Sequence, residues 1–374
     1  MNKAPQIVIS GYYGFGNAGD EAVLAGMMDA FRAAIPGAAL RVASVDPDAT
    51  RRLHGVESFG RYRWRDFGAR VRACDAFVSG GGSLFQDVTS RRSLYYYLGT
   101  LALAGIYRRP VMVCGQGIGP IRSATARRVT AALLNRARLI TVRDPGSLET
   151  LQRLGVARPE IHLTADPVFA LQPSPRAVAE RILRREGVSL DVPRVAFALR
   201  PVPRGVEPGD AVVSALAEAA AFVHRELGAQ PVFVPMHPPA DRNFARRVAE
   251  AAGVPAAILS GGVPPRDAPA LFGRMDLVVG VRLHALIFAA VQGVPLVGIS
   301  YDPKVEGFLR SLGRTPASDL ASIRGVVLVD AIRHVWEARE EEAAHLRRAA
   351  APLREKALEN GSLLATLIAS RTGP

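Results

Sequence analysis

Residues 6–31 read QIVISGYYGFGNAGDEAVLAGMMDAF, and this stretch decides the predicted fold. Its first five residues, Gln6–Ser10, form a short apolar run of the kind that makes a buried β-strand. From Ala22 onward the apolar residues recur at helical spacing, and a glycine-rich turn separates the two parts. The stretch therefore predicts a strand, a turn at the carboxyl end of that strand, and a helix.

The glycine-rich turn matches a dinucleotide-binding spacing, because Gly14, Gly16 and Gly19 satisfy G-x-G-x-x-G. That motif holds a pyrophosphate at the bare, positive N-terminus of the helix. Here Asp20 is placed to cap that helix end and Glu21 follows it, and two carboxylates repel an anion. The turn is therefore predicted to hold a neutral, hydroxyl-rich group.

Strand-like runs alternate with helical patterns in two series, which predicts the α/β fold class with parallel, doubly wound sheets. The first series has its runs at 6–10, 40–45, 76–79, 111–114, 139–142 and 161–164. The second follows a proline-containing linker at 171–175 and has its runs at 194–199, 230–234, 256–259, 277–279, 296–299 and 326–329. We expect two Rossmann-like domains facing a cleft, at 1–170 and 176–332, because such folds bind ligands there. Residues 333–374 are predicted to form helices that pack back on the domains.

The composition is that of a globular protein, with 49% hydrophobic and 22% charged residues. Basic residues outnumber acidic ones by 47 to 34, and the resulting net charge of +13 suits nucleic acid, an anionic membrane surface or anionic substrates. The basic pairs are scattered and carry no nucleic-acid-binding signature, so nucleic acid is disfavoured. Cys74 and Cys114 lie in or beside apolar stretches and are predicted to be buried thiols. No cluster has the spacing of metal ligands, so no metal is expected.

Two features bear on the membrane. Residues 1–6 are polar and the longest apolar stretch, 94–107, is too short to span a bilayer, which predicts a cytoplasmic protein. Arginines at 91, 92, 108 and 109 flank three tyrosines at 95–97. Peripheral attachment to the inner face of the cell membrane and burial of these tyrosines in the core are therefore equally open.

Glycine turns follow several strands of the first series, at 11–19, 80–82 and 115–120. Turns at one edge of a parallel sheet allow the backbone to approach a ligand closely. The polar groups in or beside these turns can exchange hydrogen bonds with sugar hydroxyls. The candidate residues for binding a sugar through its hydroxyls are Asn17, Gly82, Asp87 and Gln116.

Basic residues follow the strands of the second series and form a candidate anion site for a carboxylate and a phosphate together. They are Arg200, His237, Arg282, His284 and Lys304. A surface ion pair, a solvated turn and a helix-flanking charge are the alternatives for Arg200, His237 and Lys304. Arg282 and His284 lie between a Val-Val-Gly strand end and an apolar helix, where an unpaired charge is costly, so this pair favours function.

These motifs together resemble the polysaccharide pyruvyl transferases, specifically the cell-surface-anchoring branch that modifies secondary cell-wall polymer. The resemblance covers residues 7–308. It rests on GYYGFGNAGDEAVL (11–24), SGGGSLFQD (79–87), GQGIGP (115–120), RDPGS (143–147), ADPVF (165–169) and above all RLHALIFAAVQGVPLVGISYDPKV (282–305). It implies the GT-B-like arrangement of many glycosyltransferases, no cofactor, phosphoenolpyruvate as co-substrate, and a lipid-linked acceptor sugar, typically N-acetylmannosamine.

The chemistry that this resemblance implies assigns roles to the candidates. Ketal formation protonates C3 of the enol, adds two sugar hydroxyls to C2 and releases phosphate, which requires an acid, a base and cations. Arg200, His237, Arg282 and Lys304 would bind the donor. His284 is the first candidate for the catalytic acid/base, because imidazole exchanges protons near neutral pH, and Asp20 is the second.

Two other functions stay open at this point. A nucleotide-sugar glycosyltransferase of the same architecture would use the basic cluster to hold a sugar-nucleotide pyrophosphate. A non-catalytic basic module would bind a membrane or nucleic acid in a salt-dependent way and release no phosphate.

Overall fold

The structure is a computed structural model in which residues 4–88, 90–201 and 209–370 are described. The chain divides into two compact α/β units. Unit 1 contains the described residues of Met1–Phe15, Asp20–Gln172 and Leu353–Pro374. Unit 2 contains those of Gly16–Gly19 and Pro173–Pro352.

Unit 1 is built on a parallel sheet that has seven strands in the described residues, in the order β3-β2-β1-β4-β5-β6-β7. The strands are β1 (Gln6–Ser10), β2 (Ala39–Ser44), β3 (Glu57–Gly60), β4 (Ala76–Phe85), β5 (Val111–Ile118), β6 (Leu139–Val142) and β7 (Glu160–Leu163). The helices between them are α1 (Ala18–Ala34), α2 (Pro47–His54), α3 (Trp64–Ala73), α4 (Arg91–Ile106), α5 (Ala124–Leu134) and α6 (Pro145–Arg153).

The two faces of this sheet carry separate cores, as the twofold alternation of strand side chains requires. Ile7 and Ile9 pack with the apolar face of α1, whereas Val8 between them packs with residues of α3 and α4 on the other face. Burial of β1 on both faces explains why its sequence is a continuous apolar run rather than an alternating one.

Unit 2 is built on a second parallel sheet, with six strands in the described residues, in the order β10-β9-β8-β11-β12-β13. The strands are β8 (Arg194–Ala198), β9 (Gln230–Phe233), β10 (Ala257–Ile258), β11 (Leu277–Gly280), β12 (Leu296–Ser300) and β13 (Ser318–Asp319). The helices are α7 (Arg176–Arg185), α8 (Gly209–Arg225), α9 (Ala240–Ala252), α10 (Asp267–Phe272), α11 (Leu283–Gln292), α12 (Pro303–Ser311), α13 (Gly325–Glu337) and α14 (Arg339–Ala369).

The predicted strand at 326–329 is wrong. These residues form the first turn of α13, where Leu328 and Ile332, four residues apart, are fully buried while Val326 is exposed. A four-residue apolar run fits a strand and a helix equally, and only the helical spacing of the following residues distinguishes them. The last strand of unit 2 is instead β13.

The C-terminal end of α14 belongs to unit 1, whereas residues 333–352 belong to unit 2. Asn360 is fully buried, and its Oδ1 accepts a hydrogen bond of 2.6 Å from the Thr141 hydroxyl. The thiol of Cys114 lies 3.5 Å from the same oxygen, and burial raises the pKa of this thiol to about 12. Both cysteines are free and buried, as predicted.

Gly361 provides a test of this docking. A methyl group on Gly361 would overlap the backbone carbonyl oxygen of Ala30 in α1. We expect Gly361→Ala to lower the free energy of unfolding by about 1–3 kcal/mol, because backbone must move to relieve the overlap. Gly99→Ala is the matched control, since Gly99 lies in α4 with open space around it, and alanine there gains helix propensity of up to about 1 kcal/mol. Urea denaturation measures both; equal effects would contradict the docking.

None of the helices in the described residues is long and apolar enough to cross a membrane. The three tyrosines at 95–97 differ in their surroundings. Tyr97 is buried in the core, Tyr96 is half-buried and Tyr95 is exposed. Core packing therefore accounts for much of this aromatic stretch, and its attachment to a membrane stays a prediction.

Candidate active site

Arg200, Tyr301 and Lys304 come together at the carboxyl ends of β8 and β12, the two strands that flank β11. The Arg200 guanidinium carbon lies 4.2 Å from the centre of the Tyr301 ring. Lys304 Nζ lies 5.8 Å from the same ring and 3.3 Å from an Asp302 carboxylate oxygen. Nε of Arg200 is buried and has no hydrogen-bond partner among the residues that the structure describes. This arginine therefore has donor capacity left for an anion.

Arg282 is paired with a carboxylate that is not among the predicted site residues. Its Nε donates a 2.9 Å hydrogen bond to Oδ2 of Asp241 in α9, and its Nη2 donates to Oδ1 of the same residue. Asp241 is almost completely buried. The sequence favours a functional role for Arg282 because an unpaired charge there would be costly. In the structure its charge is not unpaired, because Asp241 neutralises it through this bidentate pair. The pair fixes the orientation of the guanidinium at the N-terminus of α11.

Asp241 also orders the turn after β9. Its Oδ2 accepts a 2.9 Å hydrogen bond from the backbone N–H of His237, the candidate at that strand end. One buried carboxylate thus holds two of the predicted donor-binding residues, and its own charge is balanced by Arg282. Asp241 lies in an ordinary amphipathic helix, so nothing in the local sequence marks it.

His284 is the second residue of α11 and lies against Gly19, which belongs to unit 2. A methyl group on Gly19 would overlap the imidazole ring, so a residue without a side chain is required there. Nε2 of His284 is a buried atom. The third glycine of the G-x-G-x-x-G pattern therefore makes room for the predicted catalytic side chain.

Asn17, not Asp20, caps the first helix. The helix α1 begins at Ala18, and Oδ1 of Asn17 accepts a 3.0 Å hydrogen bond from the backbone N–H of Gly19. A capping residue precedes the helix and accepts from its first turn, whereas Asp20 is already its third residue. Asn17 thus orders the turn, and Asp20 lies within the first turn of α1 and is not its cap.

Glu21 holds the glycine turn from the inside. Its Oε1 accepts a 2.7 Å hydrogen bond from the Gly14 N–H, and its Oε2 lies 2.9 Å from Nε2 of His54. Both side chains are almost completely buried. Glu21 therefore does not face a ligand, and of the two carboxylates expected at the mouth of the turn only Asp20 remains.

Asp20 and Gly82 meet within unit 1, because β1 and β4 are neighbours in the sheet. A Cβ on Gly82 would lie 3.0 Å from Oδ1 of Asp20, and Gly82 has a φ of +88°, which favours glycine. Two candidates from separate turns are thus brought together as the sheet edge predicts.

Asp87 and Gln116 are held by backbone groups. The Asp87 carboxylate accepts hydrogen bonds from the N–H groups of Arg122 (2.7 Å) and Ser123 (2.9 Å). Burial acts to raise the pKa of Asp87, but these two donors and the charge of Arg91 together lower that pKa. The Gln116 amide is fully buried between β4 and β5, and its Oε1 accepts from Leu84 N at 3.2 Å. Both side chains order the strand ends around the turns.

Arg143, which follows β6 in the RDPGS motif, is a site residue beyond those predicted from the sequence. Its Nη1 donates a 2.6 Å hydrogen bond to Asp166, and its Nη2 donates a 3.1 Å bond to the Ser83 hydroxyl beside Gly82. A Cβ on Gly117 would lie 2.8 Å from Oγ of Ser83 and 3.0 Å from Nη2 of Arg143. Backbone from one turn thus approaches polar side chains from two others.

The part of the chain that the structure describes contains no group of three or more His, Cys, Asp or Glu side chains placed to hold a metal ion.

A model of the family described as polysaccharide pyruvyl transferase matches residues 17–303. This chain belongs to the polysaccharide pyruvyl transferase family. The matched span contains every site candidate named above except Lys304, which follows it directly. A curated relative is the amylovoran biosynthesis protein AmsJ of Erwinia amylovora, which is 22% identical over 310 residues, or 76% of this chain and 71% of that protein.

Solved structures that are similar over nearly the whole chain show the fold. HepE of Anabaena in complex with UDP-glucose has a TM-score of 0.66 at 15% identity and covers 98% of this chain and 99% of its own. MnaA of S. aureus with UDP has a TM-score of 0.65 at 11% identity and covers 95% and 94%. The predicted α/β fold with two Rossmann-like domains of the GT-B type is therefore confirmed for this pyruvyl transferase family member.

Proposed function

We propose that this protein transfers pyruvate from phosphoenolpyruvate to two hydroxyls of a saccharide, as a cyclic ketal, and releases phosphate. Its family supports transfer to a polysaccharide. The observation that carries the choice of donor is the set of basic residues at the strand ends of unit 2, in which Arg200 keeps a buried Nε without a hydrogen-bond partner among the described residues.

The cluster suits a small dianionic ligand. Phosphoenolpyruvate carries a carboxylate and a phosphate on a three-carbon frame, and arginine binds both groups through its planar fork. Arg200 is steadied by Tyr301, and Arg282 by Asp241, so both guanidinium groups are oriented before a ligand arrives. Pre-orientation reduces the entropy lost on binding. Lys304 and His237 would complete the donor site.

The proposed reaction balances without a cofactor. C3 of phosphoenolpyruvate gains a proton, two hydroxyl oxygens bond to C2, and the bond from C2 to the phosphate oxygen breaks. The two hydroxyl protons are accounted for by the new methyl group and the departing phosphate. His284 would move one of these protons or neutralise the phosphate, and the cations of the cluster stabilise the charge that develops on it.

Unit 1 would bind the acceptor. Asp20 and Gly82 meet there, and Ser83 and Arg143 lie beside Gly117, which offers both hydrogen-bond donors and acceptors to a hydroxyl-rich sugar. The proposal extends to a lipid-linked cell-wall precursor ending in N-acetylmannosamine. It places the enzyme in the cytoplasm at the inner face of the membrane, where a net charge of +13 would favour anionic lipid.

One observation favours a second candidate, a nucleotide-sugar glycosyltransferase. The similar structures of HepE and MnaA were determined with UDP-glucose and UDP respectively. The same basic cluster would then hold a pyrophosphate instead of the two charges of phosphoenolpyruvate.

Ligand-induced stabilisation separates the two candidates. We expect phosphoenolpyruvate at a hundredfold excess over its dissociation constant to stabilise the protein by about 2.7 kcal/mol and to raise its melting temperature. UDP and UDP-glucose at the same concentrations should leave the melting temperature unchanged. Differential scanning fluorimetry measures both, with inorganic sulfate as a control for non-specific anions. Stabilisation by UDP alone would contradict the proposed donor.

A further inference from the structure

Arg61 follows β3 in unit 1 and is buried, with 4% of its surface exposed. Its guanidinium carbon lies 4.1 Å from the Tyr96 ring centre, and 5.2–5.3 Å from those of Phe15, Tyr62 and Tyr97. Its Nη1 donates a 3.0 Å hydrogen bond to the carbonyl of Gly11 in the glycine turn. Among the described residues, no carboxylate pairs with Arg61 and its buried Nε has no hydrogen-bond partner. A buried cation without a carboxylate retains capacity for a ligand oxygen.

Arg61 lines a pocket of about 490 Å³ beside the ends of β2 and β3, which is within the size range of small-molecule sites. Its other polar lining residues include Asp48, Arg51, Arg63 and Asp66. Asp48 is bound by Arg51 at 2.6 Å, and Asp66 by Arg70 at 3.0 Å, so an arginine orients each carboxylate. The pocket therefore offers fixed acceptors as well as donors.

An aromatic wall adjoins the pocket. Tyr62 is 58% exposed and Trp64 is 49% exposed, although both rings are large and apolar. Each packs against Tyr96, at centroid distances of 5.7 Å and 5.5 Å. The hydroxyl of Tyr96 donates a 3.1 Å hydrogen bond to the carbonyl of Arg61. The rings are thus held rigidly while part of their surface stays open, which is typical of a binding surface.

We propose that this aromatic pocket binds a pyranose ring of the saccharide acceptor, at a subsite separate from the sugar that is pyruvylated. A pyranose has an apolar face of C–H groups and a rim of hydroxyls. Tyr62 or Trp64 would stack on the apolar face, while Arg61, Arg63 and Asp66 would exchange hydrogen bonds with the hydroxyls. A lipid chain does not suit a pocket lined by six charged side chains, and a polyanion does not suit the two carboxylates among them.

This inference rests on the proposed function, because the subsite belongs to the acceptor of that reaction. The hydrogen bond from Arg61 to Gly11 connects it to the turn that carries Asp20 at its other end. A chain of two or more sugars would therefore occupy the subsite with one residue and present another to the predicted acceptor groups of unit 1. The pocket thus selects for an oligosaccharide over a free monosaccharide.

Trp64 itself reports on occupancy. The chain has two tryptophans, so in the Trp336→Phe variant all tryptophan fluorescence comes from Trp64. Three disaccharides, ending in N-acetylmannosamine, galactose or glucose, are titrated into this variant without phosphoenolpyruvate. We expect at least one to change Trp64 emission saturably, and Tyr62→Ala in the same background to raise its dissociation constant about tenfold, as loss of a stacked ring predicts. Tyr95→Ala is the matched control and should bind unchanged, because Tyr95 is 44% exposed and is not among the residues that line the pocket.

The outcomes separate this inference from the proposed function. No saturable change with any of the three disaccharides, or equal binding by the Tyr62→Ala and Tyr95→Ala variants, would overturn the subsite. Phosphate release from phosphoenolpyruvate is measured separately. Saccharide binding at Trp64 without any phosphate release would leave the subsite standing and remove the proposed reaction. Normal phosphate release by the Tyr62→Ala variant, with an unchanged KM for the disaccharide, would support the proposed reaction and remove the subsite.

Discussion

His284→Ala is expected to lower turnover by about 100-fold or more, with a much smaller effect on donor affinity. The side chain lies at the start of α11, two residues after Arg282, and its ring is accommodated only because residue 19 is glycine. A proton must reach C3 and another must leave a hydroxyl during ketal formation, and imidazole exchanges protons near neutral pH. Loss of this group removes the exchange. Rapid-mixing assays of phosphate release give kcat, and calorimetry with phosphoenolpyruvate gives affinity.

His284→Gln separates proton transfer from binding, because glutamine still forms hydrogen bonds but carries no transferable proton near neutral pH. We expect this variant to be as slow as His284→Ala. His334→Ala serves as the matched control, since His334 is an exposed histidine of α13. Near-normal turnover by His284→Gln would make His284 a binding residue and move the acid to Asp20 or His237.

Gly19→Ala tests the position of the imidazole independently. The added methyl group would overlap the His284 ring and displace it. We therefore expect kcat to fall while the rest of the turn keeps its structure. Gly16→Ala is less informative as a control, because Gly16 has a φ of +72°. Wild-type turnover by Gly19→Ala would contradict the placement of His284.

Arg200→Ala is expected to weaken phosphoenolpyruvate binding by about 2–3 kcal/mol, or roughly 30- to 150-fold, because a charged hydrogen bond to the ligand is lost. Arg200→Lys keeps the charge but not the planar fork, and we expect an intermediate loss. Calorimetry gives the dissociation constants. Arg333→Ala is the matched control, since Arg333 also lies on an aromatic ring of unit 2, 4.6 Å from the centre of Phe222, but on the outer helix α13. Equal affinities of the Arg200→Ala and Arg333→Ala variants would remove Arg200 from the donor site.

Arg282 is a poorer probe of donor binding than the sequence suggests. Its removal would leave the buried carboxylate of Asp241 without its partner, which is strongly destabilising whatever the ligand does. The turn that carries His237 depends on the same carboxylate. A loss of donor affinity in Arg282→Ala would therefore mix a local structural change with a lost contact, whereas Arg200 has no such carboxylate partner among the described residues.

The features that the sequence predicts well are local. The run at 6–10, the glycine turn and the helix beyond it follow from burial and spacing within one stretch, and β1 and α1 form there. The gathering of candidates at strand ends also follows from the pattern, because parallel strands place their carboxyl ends at one edge. Edge strand β3 has no such signal, since its four residues, Glu57–Gly60, include a charge and a glycine.

The features that the sequence missed depend on residues far apart in the chain. Asp241 and Arg282 are 41 positions apart and meet only because β9 and β11 flank β8. Asn360 contacts Thr141 across 219 positions. The sequence therefore predicts helices that pack back on the domains, but it does not show which domain the end of α14 joins. The sequence places Glu21 beside Asp20 at the mouth of the turn and does not reveal its partner His54, which lies at the end of another helix.

Release of phosphate from phosphoenolpyruvate, dependent on a saccharide, tests the central claim most directly. Purified protein is incubated with phosphoenolpyruvate and a panel of lipid-linked disaccharides, and phosphate and the mass of the saccharide are followed together. The account predicts that phosphate release requires the saccharide and equals the amount of saccharide that gains one pyruvyl ketal. Phosphate release without a saccharide product, or transfer of a sugar from UDP-glucose onto the same acceptors with phosphoenolpyruvate unused, would contradict it.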